Sequence, residues 1–231
     1  EFCNFLLDSL NTELKAMSPI PNSFVNKEMS PYNMNWQKYL SENDTIITQL
    51  FVGQVNSRLK CRICHTLSVN YETFSILSLP IPNVVTCNIM ECFRQFFEEQ
   101  QLDPPNQWNC VKCGVKTPST QKITLIKMPT ILIIQLARFD NSLIRNNCFI
   151  HYPLILDYQY TGVLTNPYTN DVKYELYSVV CHQGSVNKGH YSTFVYKGDK
   201  NGWYYFNDTI FKSIQTLNEI IRSDAYLLFY R

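Results

Sequence analysis

The feature that most constrains this 231-residue chain is a pair of C-x-x-C knuckles, Cys61-Arg-Ile-Cys64 and Cys110-Val-Lys-Cys113-Gly114. Two knuckles present four thiolates, and zinc is stable in a closed tetrahedral sulfur site with Zn–S near ~2.3 Å. The pairing predicts that the two knuckles meet in space, so residues 65–109 must form a closed loop. One structural zinc is expected on Cys61, Cys64, Cys110 and Cys113. Four thiolates leave no open position for water, so such an ion staples the fold and does no chemistry. Redox work of the thioredoxin kind needs one motif at a helix start, and two knuckles on hairpin-like segments argue against it. His65 competes as a ligand, but four thiols already satisfy the ion. The other five cysteines, Cys3, Cys87, Cys92, Cys148 and Cys181, lie scattered among apolar residues. That favours a reducing compartment, cytoplasmic or nuclear, over a secreted disulfide scaffold.

A hydrophobic content of 45% suits one large domain or two small ones with a sizeable core. Net charge is only +1, which gives no electrostatic footprint for nucleic acid or an anionic membrane surface. The aliphatic run Ile131 to Ile134 is far too short to cross a bilayer. The opening EFCNFLLDSLNTELK predicts an amphipathic helix with Glu1, Asn4, Asp8 and Asn11 on one face and Phe2, Phe5, Leu6 and Leu10 on another. Its acidic face reads as solvated. Nothing before Glu1 caps the first backbone N–H groups, so the domain is expected to extend upstream.

Met17 to Asn35, with Pro19, Pro21 and Pro31, is the expected flexible connection. A helical turn is expected at Trp36 to Leu40, and Thr45 to Lys60 reads as largely extended. Thr66 to Leu79 reads as strand. Asn88 with Glu91 forms a capping box before a helix whose stripe Ile89, Cys92, Phe93, Phe96 and Phe97 reads as core. Lys122 to Lys127 and Ile131 to Arg138 are strands broken at Pro129, and the continuous ILII run implies burial on both faces. Tyr174 to Cys181 and Ala225 to Tyr230 alternate at period two, so the second half is expected to be a mostly antiparallel sheet.

The stretch Gly189 to Asp208, GHYSTFVYKGDKNGWYYFND, carries the chemistry. His190 to Tyr196 and Trp203 to Phe206 are β-branched and aromatic runs around a turn bounded by Lys197 and Gly202. In that register His190 and Asn207 share one face, one diagonal step and roughly 5–8 Å apart. A carboxamide oxygen on one imidazole nitrogen aims the other at a thiol or hydroxyl, as in Cys-His-Asn proteases.

These residues resemble the ubiquitin-specific proteases, papain-like cysteine peptidases built as thumb, palm and zinc-bearing fingers. EFCNFLLDSL is similar to the family's E-F-L-x-x-L-L-D-x-L helix, LFVGQVNSRLKCRIC to its L-F-x-G-Q approach to the fingers, and MPTILIIQLARF to its L-P-x-x-L-x-x-x-L-K-R-F strand. YELYSVVCHQGSVNKGHYSTFVY, WYYFNDTIF and SDAYLLFY are similar, in order and spacing, to the H-x-G, G-H-Y, W-x-x-F-(D/N)-D and A-Y-x-L-x-Y elements. The resemblance implies an α+β papain-like fold with an antiparallel palm sheet and a zinc-ribbon fingers subdomain. It divides the chain into thumb helices at 1–42, fingers at 43–128 and palm at 129–231. It implies that His190 is the general base and Asn207 its orienter, with Asp208 supporting the oxyanion side or the substrate tail. It places Glu1, Asp8, His182, Gly189 and Tyr191 along the substrate, with ubiquitin and ubiquitinated proteins as partners. Ala137 stands where the family commonly has Lys.

A G-N-T-C-Y-like Cys box is absent from the 231 residues, and with it the family's nucleophile and most of the thumb. The expectation is therefore a deubiquitinase whose nucleophile lies upstream and whose present chain is inactive alone. A noncatalytic ubiquitin-binding scaffold and a zinc-ribbon module for another partner are the alternatives. The intact His190 and Asn207 argue against the scaffold.

Overall fold

The structure, a computed structural model, describes residues 2–17, 30–139, 142–157, 173–198 and 202–231. Glu1 and most of the expected Met17 to Asn35 connection lie outside the described residues. In chain order the helices and first strands are α1 (Phe2–Met17), α2 (Pro31–Asn43), α3 (Ile46–Phe51), β1 (Gly53–Cys61), β2 (Leu67–Phe74), β3 (Ile76–Leu79), β4 (Thr86–Asn88) and α4 (Ile89–Phe97). Short strands β5 (Gln100–Gln101), β6 (Trp108–Asn109) and β7 (Lys116–Thr117) precede β8 (Ser119–Lys127), β9 (Leu132–Leu136), β10 (Phe149–His151) and β11 (Ile155–Asp157). The chain then runs through β12 (Lys173–Gly184), β13 (Gly189–Tyr196), β14 (Trp203–Asn207), β15 (Ile210–Ser213) and β16 (Ala225–Tyr230). It forms two compact units, one of Glu1–Ser75 with Phe97–Thr130 and one of Ile76–Phe96 with Ile131–Arg231. The class is α+β, with largely antiparallel sheets.

In the first unit β1 is the spine of a four-stranded sheet, ordered β2-β1-β8-β5. Gly53 begins β1 without a side chain because an added Cβ would lie 2.4 Å from the Phe74 ring. The segment Thr45 to Lys60, expected to be largely extended, instead opens with α3. Its β-branched residues favour a strand, but Thr45 is an N-cap whose Oγ1 accepts from the Thr48 N–H at 3.2 Å. Both threonine hydroxyls also donate to Asn11 Oδ1 on α1. That tie turns Asn11 and the buried Leu7 inward, while Phe2 and Phe5 of the expected apolar face are 75% and 68% exposed. Helix α2 is longer than the expected turn at Trp36 to Leu40, because Pro31 at its start supplies the φ a helix needs.

The second unit is organised on an eight-stranded sheet ordered β15-β14-β13-β12-β16-β9-β3, with β11 also on β12. Only the β3–β9 pair in this sheet is parallel. Leu132, Ile133 and Ile134 of the ILII run are buried, as is Leu228 across the ladder. The capping box on α4 forms as expected: the Asn88 N–H donates to Glu91 Oε2 at 2.8 Å and the Glu91 N–H to Asn88 Oδ1 at 3.1 Å. Ile89, Cys92, Phe93 and Phe97 are buried, whereas Phe96 is half-buried. Arg138, wholly buried, donates to the carbonyls of Ala225, Asn146 and Cys148 and ties the segment after β9 to β16.

Strands β13 and β14 pair in the register read from the turn. Thr193 opposes Phe206 and Tyr196 opposes Trp203, and the Lys197 N–H closes on the Gly202 carbonyl at 2.9 Å.

Candidate active site and metal centre

The two knuckles meet in the first unit. The Sγ atoms of Cys61, Cys64, Cys110 and Cys113 all lie within 4.8 Å of one another. A tetrahedron with Zn–S of ~2.3 Å has edges of about 3.8 Å, and the Cys64–Cys110 and Cys61–Cys113 separations of 3.5 and 4.0 Å bracket that edge. The donor set therefore fits zinc. The two turns are built alike: His65 (φ 59°) and Gly114 (φ 72°) occupy equivalent left-handed positions, and each N–H donates to the carbonyl of its knuckle's first cysteine. This explains His65 as a turn residue, and it is not among the clustered ligands. A hydrogen bond involving the Cys64 backbone, then one involving the Thr117 hydroxyl, lowers the Cys61 thiol to about 6, whereas the crowding thiols, Cys64 first, raise Cys113 to about 12; metal binding requires all four as thiolates.

In the second unit, β13 and β14 carry the imidazole and the carboxamide. His190 Nε2 lies 2.5 Å from Asn207 Oδ1. The Asn207 amide is oriented by its Nδ2, which donates to the Tyr205 hydroxyl at 3.2 Å, so its oxygen faces the ring. A carboxamide oxygen can only accept, so Nε2 carries the proton and Nδ1 is left as the basic nitrogen. Asp208 sits in the two-residue turn to β15 at φ 49°, a conformation that Asp tolerates. Its Oδ2 is 4.0 Å from His190 Nε2, and both side chains are open to solvent.

Gly189 and Tyr191 flank His190 on β13, and Tyr191 is exposed. His182 is only 2% exposed and sits against Gly189 and Tyr191. Asp8 is exposed on α1 in the first unit, and its side chain lines a small hollow with Leu7, Asn11, Tyr39 and Thr73. Glu1 lies outside the described residues.

Sequence reading missed a second layer of residues. Gln183, opposite His190 in the ladder, donates to Asp224 Oδ2 at 2.6 Å. Arg222 donates to the same carboxylate from Nε and Nη2 at 3.1 and 3.2 Å. Burial pulls the Asp224 carboxyl up, but the hydrogen bonds from Arg222 and Gln183 outweigh it and hold the group below its ordinary value. Only the Arg-x-Asp spacing at 222–224 hinted at this. The four cysteines of this unit, Cys87, Cys92, Cys148 and Cys181, are all buried. Burial raises Cys92 to about 11 and pushes Cys181 further up.

A family model for ubiquitin carboxyl-terminal hydrolase matches residues 1–230. The chain is 39% identical over 254 aligned residues to ubiquitin carboxyl-terminal hydrolase 5 of Saccharomyces cerevisiae, covering all of this chain and 32% of that protein. It is 34% identical over 206 residues to ubiquitin carboxyl-terminal hydrolase 21 of Bos taurus, covering 86% of this chain and 36% of that protein. Among solved structures, a yeast SAGA DUB module superposes with a TM-score of 0.76 at 26% identity, covering 99% of this chain and 49% of that one. The SAGA Ubp8/Sgf11/Sus1/Sgf73 DUB module bound to ubiquitin aldehyde gives 0.66 at 28% identity, covering 86% of this chain and 46% of that one. The chain belongs to the ubiquitin carboxyl-terminal hydrolase family, and its fold is that of the ubiquitin-specific protease catalytic domains. It spans about a third of the length of the curated relatives it matches.

Proposed function

We propose that the polypeptide carrying this chain is a deubiquitinase that hydrolyses the isopeptide or peptide bond after the C-terminal glycine of ubiquitin. The observation that carries this reading is the 2.5 Å contact between His190 Nε2 and Asn207 Oδ1, which leaves Nδ1 free as a base. His190 Nδ1 takes the proton of a cysteine thiol, and the thiolate adds to the scissile carbonyl. The same nitrogen then protonates the leaving amine and afterwards draws a proton from the water that hydrolyses the thioester. Asn207 holds the ring in one tautomer through both halves.

The nucleophile comes from a segment outside these 231 residues. Supporting this, the cysteines of the His-bearing unit are buried, and four of the other five cluster as a metal site. Cys61, Cys64, Cys110 and Cys113 would hold one structural zinc. In this reading 1–42, 43–128 and 129–231 correspond to thumb, fingers and palm, although Ile76–Phe96 of the fingers segment packs in the unit of the palm sheet. Ubiquitin is the bound partner, with Asp8, Gly189 and Tyr191 along its path and Asp208 beside the tail or oxyanion. Nine unpaired thiols suit an intracellular, reducing setting.

The test is hydrolysis of a fluorogenic ubiquitin C-terminal amide. The full-length polypeptide should turn over, His190→Ala should abolish most of it, Asn207→Ala should cost less, and the isolated 231 residues should be inert. Ubiquitin binding without turnover in the full-length polypeptide would make it a scaffold. Labelling of the isolated chain by a thiol-reactive ubiquitin probe, lost in Cys181→Ser, would overturn the assignment of the nucleophile.

A further inference from the structure

Beneath the strand that bears His190 lies a histidine that no reaction step uses. The His182 ring is in contact with Phe139, Tyr191 and Tyr226, with centroids 5.6, 4.6 and 5.7 Å away. Arg145 reaches it from the segment before β10, with Nη1 3.1 Å from Nδ1 and Nη2 donating to the His182 carbonyl at 2.7 Å. A guanidinium has no acceptor, so Nδ1 must accept and the remaining proton sits on Nε2. That edge of the ring faces Gly189: a Cβ built there would lie 1.8 Å from Nε2. In the β12–β13 ladder His182 opposes Tyr191 and Gln183 opposes His190, so the ring underlies both neighbours of the proposed base.

We infer that the Arg145–His182 pair is a positioning device: Arg145 fixes the His182 ring as a floor under Gly189 and Tyr191, and that floor sets where His190 points. The inference rests on the deubiquitinase reading. A floor of this kind explains why position 189 is glycine, since its backbone descends onto the ring, and why a histidine beside the His190 strand is buried. It also explains the choice of imidazole over a plain aromatic. Phenylalanine would fill the space without an acceptor for Arg145 Nη1, whereas imidazole fills it and accepts a hydrogen bond at its edge. The ionisable groups around the ring are Arg145, Tyr191 and Tyr226, with Asp224 engaged by Arg222 and Gln183. Burial, then the charge of Arg145, lowers the His182 pKa, which favours the neutral ring that accepts from Arg145.

The experiment uses the full-length polypeptide with His182→Phe, which keeps a ring without an acceptor, and His182→Asn, whose amide oxygen replaces Nδ1 at the same bond count. Arg145→Met is the third variant, leaving the ring without its donor. His182→Phe and Arg145→Met should lower kcat about tenfold or more with KM little changed, because misplacement of a catalytic group acts on the chemical step. His182→Asn should recover much of the loss. Imidazole NMR gives a readout independent of turnover. The His190 Nε2 proton bonded to Asn207 should be lost or broadened in His182→Phe and kept in His182→Asn, and His182 itself should titrate below an ordinary histidine. Unchanged kcat and an unchanged His190 signal in both His182→Phe and Arg145→Met would overturn the proposal. So would a loss confined to KM, or no recovery in His182→Asn. If the wild-type polypeptide fails to hydrolyse ubiquitin amides, the function proposed above falls, while the His190 proton signal still decides this one.

Discussion

Gly189→Ala isolates the contact between strand β13 and the ring beneath it. The new Cβ would stand 1.8 Å from His182 Nε2 and 2.7 and 2.8 Å from Cδ2 and Cε1. Ordinary packing keeps such atoms about 3.5 Å apart, so ring and strand must separate by roughly 1.7 Å. The ring cannot retreat freely, because Arg145, Phe139 and Tyr226 back it. Overpacking of this kind costs about 1–3 kcal/mol, and at about 3 °C per kcal/mol for a chain of this size the melting temperature should fall by about 3–9 °C. The strand carries His190, so kcat should fall with it. Gly198→Ala is the control: its φ is +93° and nothing lies within 4 Å of an added Cβ. It should cost about 1–2 kcal/mol through backbone conformation alone and leave kcat unchanged. A double-mutant cycle sharpens the test, since in a His182→Ala background the clash is gone and Gly189→Ala should become nearly neutral. Thermal melts and turnover of all four forms measure this. An equal cost of Gly189→Ala in both backgrounds would refute the steric reasoning.

Metal analysis should find one zinc per chain, reduced by Cys110→Ser with Cys113→Ser, and chelation should raise hydrogen exchange in the first unit more than in the second. Asp224 has a folded pKa below its ordinary 3.8, so its contribution is present above that value and lost as pH falls through the lower folded value. Urea midpoints should therefore drop as the pH falls below about 4, and less steeply in Asp224→Asn. Asp8→Lys in the full-length polypeptide should weaken binding of the basic ubiquitin tail with a marked salt dependence; unchanged affinity at low salt would leave Asp8 as plain solvated surface.

What could be read from residues alone was whatever local rules decide. The C-x-x-C spacing placed four thiols together, the Lys197 to Gly202 turn set the β13–β14 register, and Asn88 with Glu91 marked the start of α4. The failures share one cause, which is that distant partners overruled local pattern. Thr45 to Phe51 looks like strand until Thr45 is seen capping Thr48 and bonding Asn11. The Phe2, Phe5, Leu6 and Leu10 stripe looks like the inward face of α1 until that same Asn11 tie turns Leu7 inward. The family resemblance set His182 along the substrate, whereas the structure buries it among Phe139, Arg145 and Tyr226, none of them local in sequence.

The division into units has a consequence for how this protein is made. The chain passes from the first unit to the second at residues 75–76, returns at 96–97 and leaves again at 130–131. On a ribosome, β3 emerges early but its parallel partner β9 comes more than fifty residues later, and β9 in turn must wait for β16 near Tyr230. Cys61 and Cys64 likewise leave the exit tunnel long before Cys110 and Cys113. Two half-built sheets and two waiting thiols thus coexist in the nascent polypeptide. Premature release after residue 130 would free a metal site with its ligands complete but strand β3 with nothing to pair against.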